Sequence, residues 1–224
     1  MRNLNQTLDV INEKTVEMIK KSIRGVEIID IILKKGEFDK SLYGESKLLE
    51  EDCDDLELVL DEMVVETIAR FQPAAGDLRY LVGVLQIVTD LERISDLNTG
   101  ILKLIKRSVR DENMINDKVL KILSEMSGKV LKIFRTFELA FIEKKIENTY
   151  FVFGLDDEVD ELRDNCIREV EEIVKEDINF ISKASKVIVV AQKFKRIADI
   201  IQNLSENYVY IRKGDVLKHQ TMGE

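Results

Sequence analysis

Proline is almost absent from this chain. Of its 224 residues only Pro73 is a proline, whereas ordinary usage of about 5% would give about eleven. Proline removes a backbone donor and clashes with the preceding helical turn, so its scarcity favours long, uninterrupted helices. Strand-like alternation of apolar and polar residues is nowhere sustained. The sequence therefore predicts an all-α protein.

Cysteine, histidine and long apolar runs are also scarce. Cys53 and Cys166 lie far apart in acidic segments, which favours reduced thiols at the core over a disulfide framework or a zinc site, with soft-metal ligation as the lesser alternative. No run approaches the roughly 18 apolar residues of a membrane span, and the first six residues lack the apolar stretch of a signal peptide. We therefore expect a cytoplasmic protein with no direct membrane insertion.

Positive charge is not in excess, and catalytic groupings are lacking. The formal net charge is −9, and no run of clustered Lys and Arg would overcome the repulsion of a phosphate backbone, so nucleic acid is not an expected partner. The one histidine, His219, lies in the last six residues, which excludes a Glu-x-x-His di-iron oxidase site. With no nucleophile–base pair and no Gly-rich phosphate loop, the chain is not expected to be an enzyme.

Breaks in the helical pattern divide the chain into six predicted helices. A glycine follows two lysines at Gly36, and Pro73 steers the residue before it away from helix. The predicted helices lie near 3–35, 38–71, 74–109, 112–143, 146–178 and 182–213. Short connections imply antiparallel neighbours. We predict two tandem three-helix bundles, residues 1–109 and 110–214, followed by a tail at 215–224.

An internal duplication is predicted from two recurring patterns. Arg93-Ile94-Ser95-Asp96 recurs as Arg196-Ile197-Ala198-Asp199, at an offset of 103 residues (196 − 93). The acids and leucine of the second helix recur in the fifth at an offset of 106 (160 − 54). Similar offsets at two separate places are typical of repeated units. The recurring set is Glu50, Asp54 and Leu56 against Asp156, Asp160 and Leu162.

Acidic stripes are the most distinctive polar feature of these helices. Like charges three or four residues apart lie on one helix face and cost a few tenths of a kcal/mol per pair when exposed. Such stripes fit either solvated helix faces or a metal site, and oxygen-only ligation favours Mg²⁺, Ca²⁺, Mn²⁺ or iron. The acids concerned are Glu50, Asp54, Glu57 and Asp61 in the second helix, Glu92 and Asp96 in the third, and Asp156, Asp160 and Asp164 in the fifth.

At these residues the sequence resembles the PhoU family. The segment Gln72–Arg79 looks like the family's Gln-Pro-x-x-x-Asp-Leu-Arg, and Asp90–Asp96 is similar to its Leu-Glu-Arg-Ile-Gly-Asp signature. The segment Arg196–Asp199, followed by Gln202-Asn203, resembles a second copy, and Tyr210–Gly214 resembles the end of the family's last helix. The resemblance covers essentially the whole chain.

The resemblance implies a non-enzymatic, homodimeric adaptor built from two three-helix bundles. PhoU proteins link the ATPase of the phosphate ABC transporter to a sensor histidine kinase at the inner face of the membrane. They restrain phosphate-starvation signalling when phosphate is plentiful. Two rival functions stay open, an accessory of another ion transporter and a metal-buffering bundle.

The resemblance also implies where a metal would lie. Some family members carry multinuclear iron or zinc on their Glu/Asp-x-x-x-Asp faces. Mg²⁺, Ca²⁺ and no metal at all are the alternatives. Carried over by position, the first site takes Glu92 and Asp96, with Glu50, Asp54, Glu57 and Asp61 across the groove. The second takes Asp199 with Asp156, Asp160 and Asp164.

The second copy departs from the family pattern at Lys195, which stands where the family has a glutamate. We expect this ammonium either to replace a metal by pairing with Asp160, Asp164 or Asp199, or to point to solvent. The two arginines of the repeated motif, Arg93 and Arg196, either brace neighbouring acids through the guanidinium fork or bind an acidic partner surface.

Overall fold

Six long helices make up the described part of the chain. The structure, a computed structural model, describes residues 3–109 and 116–213 and, within these ranges, all side chains but those of 108–109 and 153–156. The helices are α1 (Leu4–Lys35), α2 (Lys40–Phe71), α3 (Ala75–Val109), α4 (Asp117–Glu143), α5 (Glu147–Glu176) and α6 (Ile181–Lys213). The predicted all-α class and six helices are confirmed. The predicted start of the fourth helix at 112 and the tail at 215–224 lie outside the described residues.

The helix ends lie where the sequence signals them. Asn3 and Gln6 form a capping box at the start of α1, and Gly36 ends that helix in the left-handed region with φ 68°. Gln72 ends α2 with φ 44°, because the residue before Pro73 is disfavoured in helical conformation. The fifth helix ends two residues earlier than predicted, since Asp177 is extended and caps a 3-10 turn at Ile178–Phe180 that leads into α6.

The helices pack in two layers. Helices α1, α2 and α3 contact one another, as do α4, α5 and α6, while α1 packs on α4 and α3 packs on α6. These contacts place α2, α3, α6 and α5 side by side in that order, with α1 and α4 behind them. The division of the chain near residues 109 and 110 stays a prediction, because it falls at the edge of the undescribed residues 110–115.

Polar contacts join the two halves at the α1–α4 junction. The Asp30 side chain accepts hydrogen bonds from Ser127 Oγ at 2.8 Å and from Lys34 Nζ at 2.7 Å, and Asp30 is only 6% exposed. Glu27 of α1 also forms an ion pair with Arg135 of α4. A buried carboxylate is tolerated only when it is paired in this way. Sliding α1 along α4 would separate Asp30 from Ser127, so these contacts favour one register at the junction.

Asn98 places a steric limit on the core of the first three helices. It is fully buried, and its Nδ2 donates to the carbonyl oxygen of Ser22 at 3.1 Å. A Cβ added at Gly25 would lie 2.5 Å from the same Nδ2 atom. The short Asn98 side chain cannot retreat without giving up its hydrogen bond.

We therefore expect Gly25→Ala to lower the free energy of unfolding by at least about 1 kcal/mol, as overpacked cores do. Urea denaturation followed by circular dichroism measures this. The matched control is Gly44→Ala, where a Cβ would meet nothing within 4 Å and where helix propensity predicts stabilisation of up to about 1 kcal/mol. Equal effects of the two changes would contradict the steric limit.

Candidate functional site

Four carboxylates face one another across the groove between α2 and α3. Asp54 and Glu57 come from α2, and Glu92 and Asp96 come from α3; we call these four residues the first acidic cluster. Partial burial raises the pKa of Glu92, and the charges of Asp96, Glu57 and Asp54 raise it further. Partial burial and then Asp96 raise the pKa of Asp54 in the same direction. The acids predicted for the first site on separate helices are therefore brought together.

The other two acids predicted for the first site lie at its edges. Asp61 acts on the cluster through Glu57. Partial burial raises the pKa of Glu57, and a hydrogen bond with Thr89 lowers it. The charges of Asp61 and Asp54 then raise it again. Glu50 instead faces Lys103, with Oε1 3.8 Å from Nζ. Within residues 3–109 and 116–213, no three Asp, Glu, His or Cys side chains converge closely enough to hold a metal ion.

Arg93 balances the first acidic cluster only in part. Arg93 lowers the pKa of Glu57 and of Glu92, yet its Nη1 lies 3.2 Å from Asp90 Oδ1, outside the cluster. Arg93 thus braces a neighbouring acid one turn away. The carboxylate donors suit a hard cation, and rotation of side chains on facing helices would be needed to bring them onto one.

The second predicted site has the opposite character, because cations occupy it. Lys195 forms a hydrogen-bonded ion pair with Asp199 and lies 3.7 Å from Asp160 Oδ2. Its side chain is only 23% exposed, so it is directed at the acids and not at solvent. Arg163 Nη1 lies 2.7 Å from Asp160 Oδ1, and its Nη2 lies 2.8 Å from Asp164 Oδ1. We call these five residues the charge-paired cluster. Asp156 lies outside the residues whose side chains are described.

The two clusters differ by two exchanges of acid for base. At the offset of 106 residues, Arg163 stands where the first copy has Glu57, and at the offset of 103, Lys195 stands where it has Glu92. Asp160 and Asp199 stand where the first copy has Asp54 and Asp96. At these four equivalent positions the first copy has four acids, while the second has two acids and two bases.

Sequence reasoning missed three residues of this surface. Arg163 could have been found by applying the offset of 106 to Glu57. Lys193 of α6, which lies near Asp96, could have been found by applying the offset of 103 to Asp90, whereas Thr89, which hydrogen-bonds Glu57, had no such signal. Their positions depend on how α3 packs against α2 and α6.

A cleft of about 710 Å³ lies between α3 and α6, beside the first acidic cluster. Partial burial raises the pKa of Asp90 at its wall, against the opposing effect of Arg93. Amide, carboxyl and phenol groups of α6 line the other side. The lining residues are Val82, Leu85, Gln86, Thr89, Asp90 and Arg93 of α3, and Asn203, Glu206, Asn207 and Tyr210 of α6.

Both cysteines are free and fully buried. Burial raises the pKa of Cys53, whose Sγ lies 3.9 Å from Ser22 Oγ, and raises the pKa of Cys166 to about 11. Buried thiols of this kind are poor nucleophiles and poor metal ligands. In the part of the chain that the structure describes, no helix is long and apolar enough to cross a membrane.

Comparison with known proteins finds one family along most of the chain. The PhoU domain matches residues 8–105 and again residues 123–208. The phosphate-specific transport system accessory protein PhoU homolog 1 of Thermotoga maritima is 32% identical over 179 residues, which are 79% of this chain and 76% of that protein. The PhoU homolog of Aquifex aeolicus is 27% identical over 99% of this chain and 88% of that protein.

A solved structure extends the likeness to the fold. The crystal structure of PhoU from Pseudomonas aeruginosa superimposes with a TM-score of 0.88 over 95% of this chain and all of that chain, at 23% sequence identity. At that identity the likeness concerns the arrangement of the helices alone.

Proposed function

Since this chain belongs to the PhoU family of phosphate transport system accessory proteins, we propose that it restrains phosphate uptake and phosphate-starvation signalling by linking two proteins. Like these accessory proteins it is a regulator and not an enzyme. The proposed partners are the ATPase of the phosphate ABC transporter and its sensor histidine kinase, which the chain would engage as a homodimer in the cytoplasm. The observation that carries the proposal is the double match to the PhoU domain.

The arrangement of the helices supports an adaptor function. Helices α2, α3, α6 and α5 form one continuous layer that carries both charged clusters and the cleft. The paired Asp30 and Ser127 fix the two halves in one register, so a partner would meet a preformed surface. A preformed surface binds at a smaller entropic cost than one that must be ordered.

We further propose that the first acidic cluster binds a hard or borderline cation. Asp54, Glu57, Glu92 and Asp96 would hold it, with Glu50 and Asp61 at the edges, and iron, zinc, Mg²⁺ and Ca²⁺ are the candidates. The metal would supply positive charge between α2 and α3. Partial burial, and then the charges of neighbouring carboxylates, raise the pKa values of Asp54, Glu57 and Glu92, so the repulsion among these acids is what a cation would relieve.

Deletion of the gene in its host, combined with a reporter for a phosphate-starvation promoter, tests the adaptor function. We expect the reporter in phosphate-rich medium to rise to the level of starved cells, and the wild-type chain to restore repression. A reporter unaffected by the deletion would contradict the proposal. If uptake of another ion then proved to change, the chain would serve a different transporter.

A further inference from the structure

A cluster of positive charge lies at one end of the α3–α6 junction. Lys193 of α6 lies over α3 where Gly100 leaves space, since a Cβ at Gly100 would lie 2.9 Å from Lys193 Nζ. Arg196 follows three residues later on the same face of α6, and Lys103 comes from the next turn of α3. Partial burial lowers the pKa of Lys193, and the positive charges of Arg196 and Lys103 lower it further, so both charges reach this lysine.

These cations lack close acidic partners. Among the residues that the structure describes, neither Lys193 nor Arg196 forms an ion pair within 4 Å, and the nearest acid to Lys103 is Glu50 at 3.8 Å. Asp96 is the acid whose charge reaches Lys193, and it raises the pKa of that lysine against the other effects. The chain has a net charge of −9, so acids are in excess. A shortage of acids therefore does not explain why these cations are poorly paired.

The other half of the chain shows which partners are missing. There Arg93 pairs with Asp90 at 3.2 Å, and Glu206 lies across the cleft from them. At the offset of 103 residues, Lys193 stands where the other half has Asp90. The same offset relates Lys103 to Glu206, so Lys103 is the counterpart of the acid across the cleft from Arg93. Arg196 is therefore the counterpart of Arg93, with bases where that arginine has acids.

We propose that Lys103, Lys193 and Arg196 form a binding site for a tetrahedral oxyanion of the phosphate class. The anion would take the place that the Asp90 carboxylate holds beside Arg93. A guanidinium fork and two ammonium groups provide charge-assisted donors from two helices, which suits an anion with several oxygens and two charges. A single carboxylate would leave one of the three cations unpaired.

Titration calorimetry with inorganic phosphate tests this site. The protein is kept in chelator, so that no metal can recruit the anion, and ionic strength is held constant with chloride. We expect saturable binding of one phosphate per chain, weakened about tenfold or more by Lys193→Asp and by Arg196→Gln, since each removes a charge-assisted hydrogen bond. The matched control is Lys20→Asp, which makes the same charge change at an exposed position of α1 and should bind as the wild type does.

Absence of saturable binding would overturn the proposal, as would equal affinity in Lys193→Asp. An equal loss in Lys20→Asp would also overturn it, because net charge would then explain the binding. Arg196 is exposed, so Arg196→Gln is expected to fold even if Lys193→Asp does not. Sulfate binding at the same residues would support the oxyanion class. The site does not depend on the adaptor function, because a chain that fails to bind phosphate could still restore repression of the reporter.

Discussion

Replacing both Arg163 and Lys195 with glutamate is expected to make the stability of the protein depend on a divalent cation. The double change removes the ion pairs of Asp160, Asp164 and Asp199 and recreates the four-acid arrangement of the first copy. Ion pairs of this exposure contribute up to about 1 kcal/mol each. In chelator, we expect the free energy of unfolding to fall by about 2 kcal/mol. Urea denaturation with and without Mn²⁺ measures the fall and its recovery.

The control for this experiment separates lost pairing from gained ligands. Arg163→Gln with Lys195→Gln removes the same ion pairs but adds no carboxylate, so its loss of stability should not recover with Mn²⁺. Lys195→Glu alone should already raise the metal content of the purified protein. Elemental analysis combined with anomalous diffraction on the unaltered chain could contradict this interpretation. Equal metal in both halves would mean that Lys195 and Arg163 do not stand in for a cation.

The helices could be predicted from sequence because their boundaries are encoded locally. Gly36 and Pro73 mark helix ends through backbone conformation alone. The pairing of helices could not be predicted in the same way. Asp30 looks like a solvated residue of an amphipathic helix, yet its partner Ser127 lies 97 residues further along the chain. Only the packing of α1 on α4 turns this acid into a buried contact.

The candidate site was predictable as far as helical spacing and the repeat reach. Spacing places Glu92 and Asp96 on one face, and the repeat points to Lys195. Glu50 shares a stripe with Asp54 but lies one turn earlier in α2, where it meets Lys103 instead of the cluster. The repeat also relates Lys193 to Asp90, but the lack of a close acidic partner at Lys193 depends on which residues of α3 lie beside it. Contacts between helices therefore decided the remaining details.

Neutralising two facing acids of the first acidic cluster, with Asp54→Asn and Glu92→Gln, is expected to stabilise the metal-free protein at pH 7 by about 1 kcal/mol, from several like-charge pairs of a few tenths each. The pKa values of both acids are raised in the folded state, by partial burial and then by neighbouring carboxylates. The folded state therefore binds protons more tightly than the unfolded state does. Stability falls as pH rises through the folded pKa values, and the penalty is complete above them.

The pH profile and the response to cations distinguish this cluster from a general effect of charge. Below about pH 3, where ordinary carboxyl groups are largely protonated, the variant and the wild type should be equally stable. At pH 7 the wild type should gain about 2.7 kcal/mol from a cation present at a hundred times its dissociation constant, and the variant should gain far less. The matched control is Glu62→Gln with Glu66→Gln, which removes two exposed acids from another face of α2. If the control loses the cation response as well, the response belongs to the net charge of the protein and not to the four facing carboxylates.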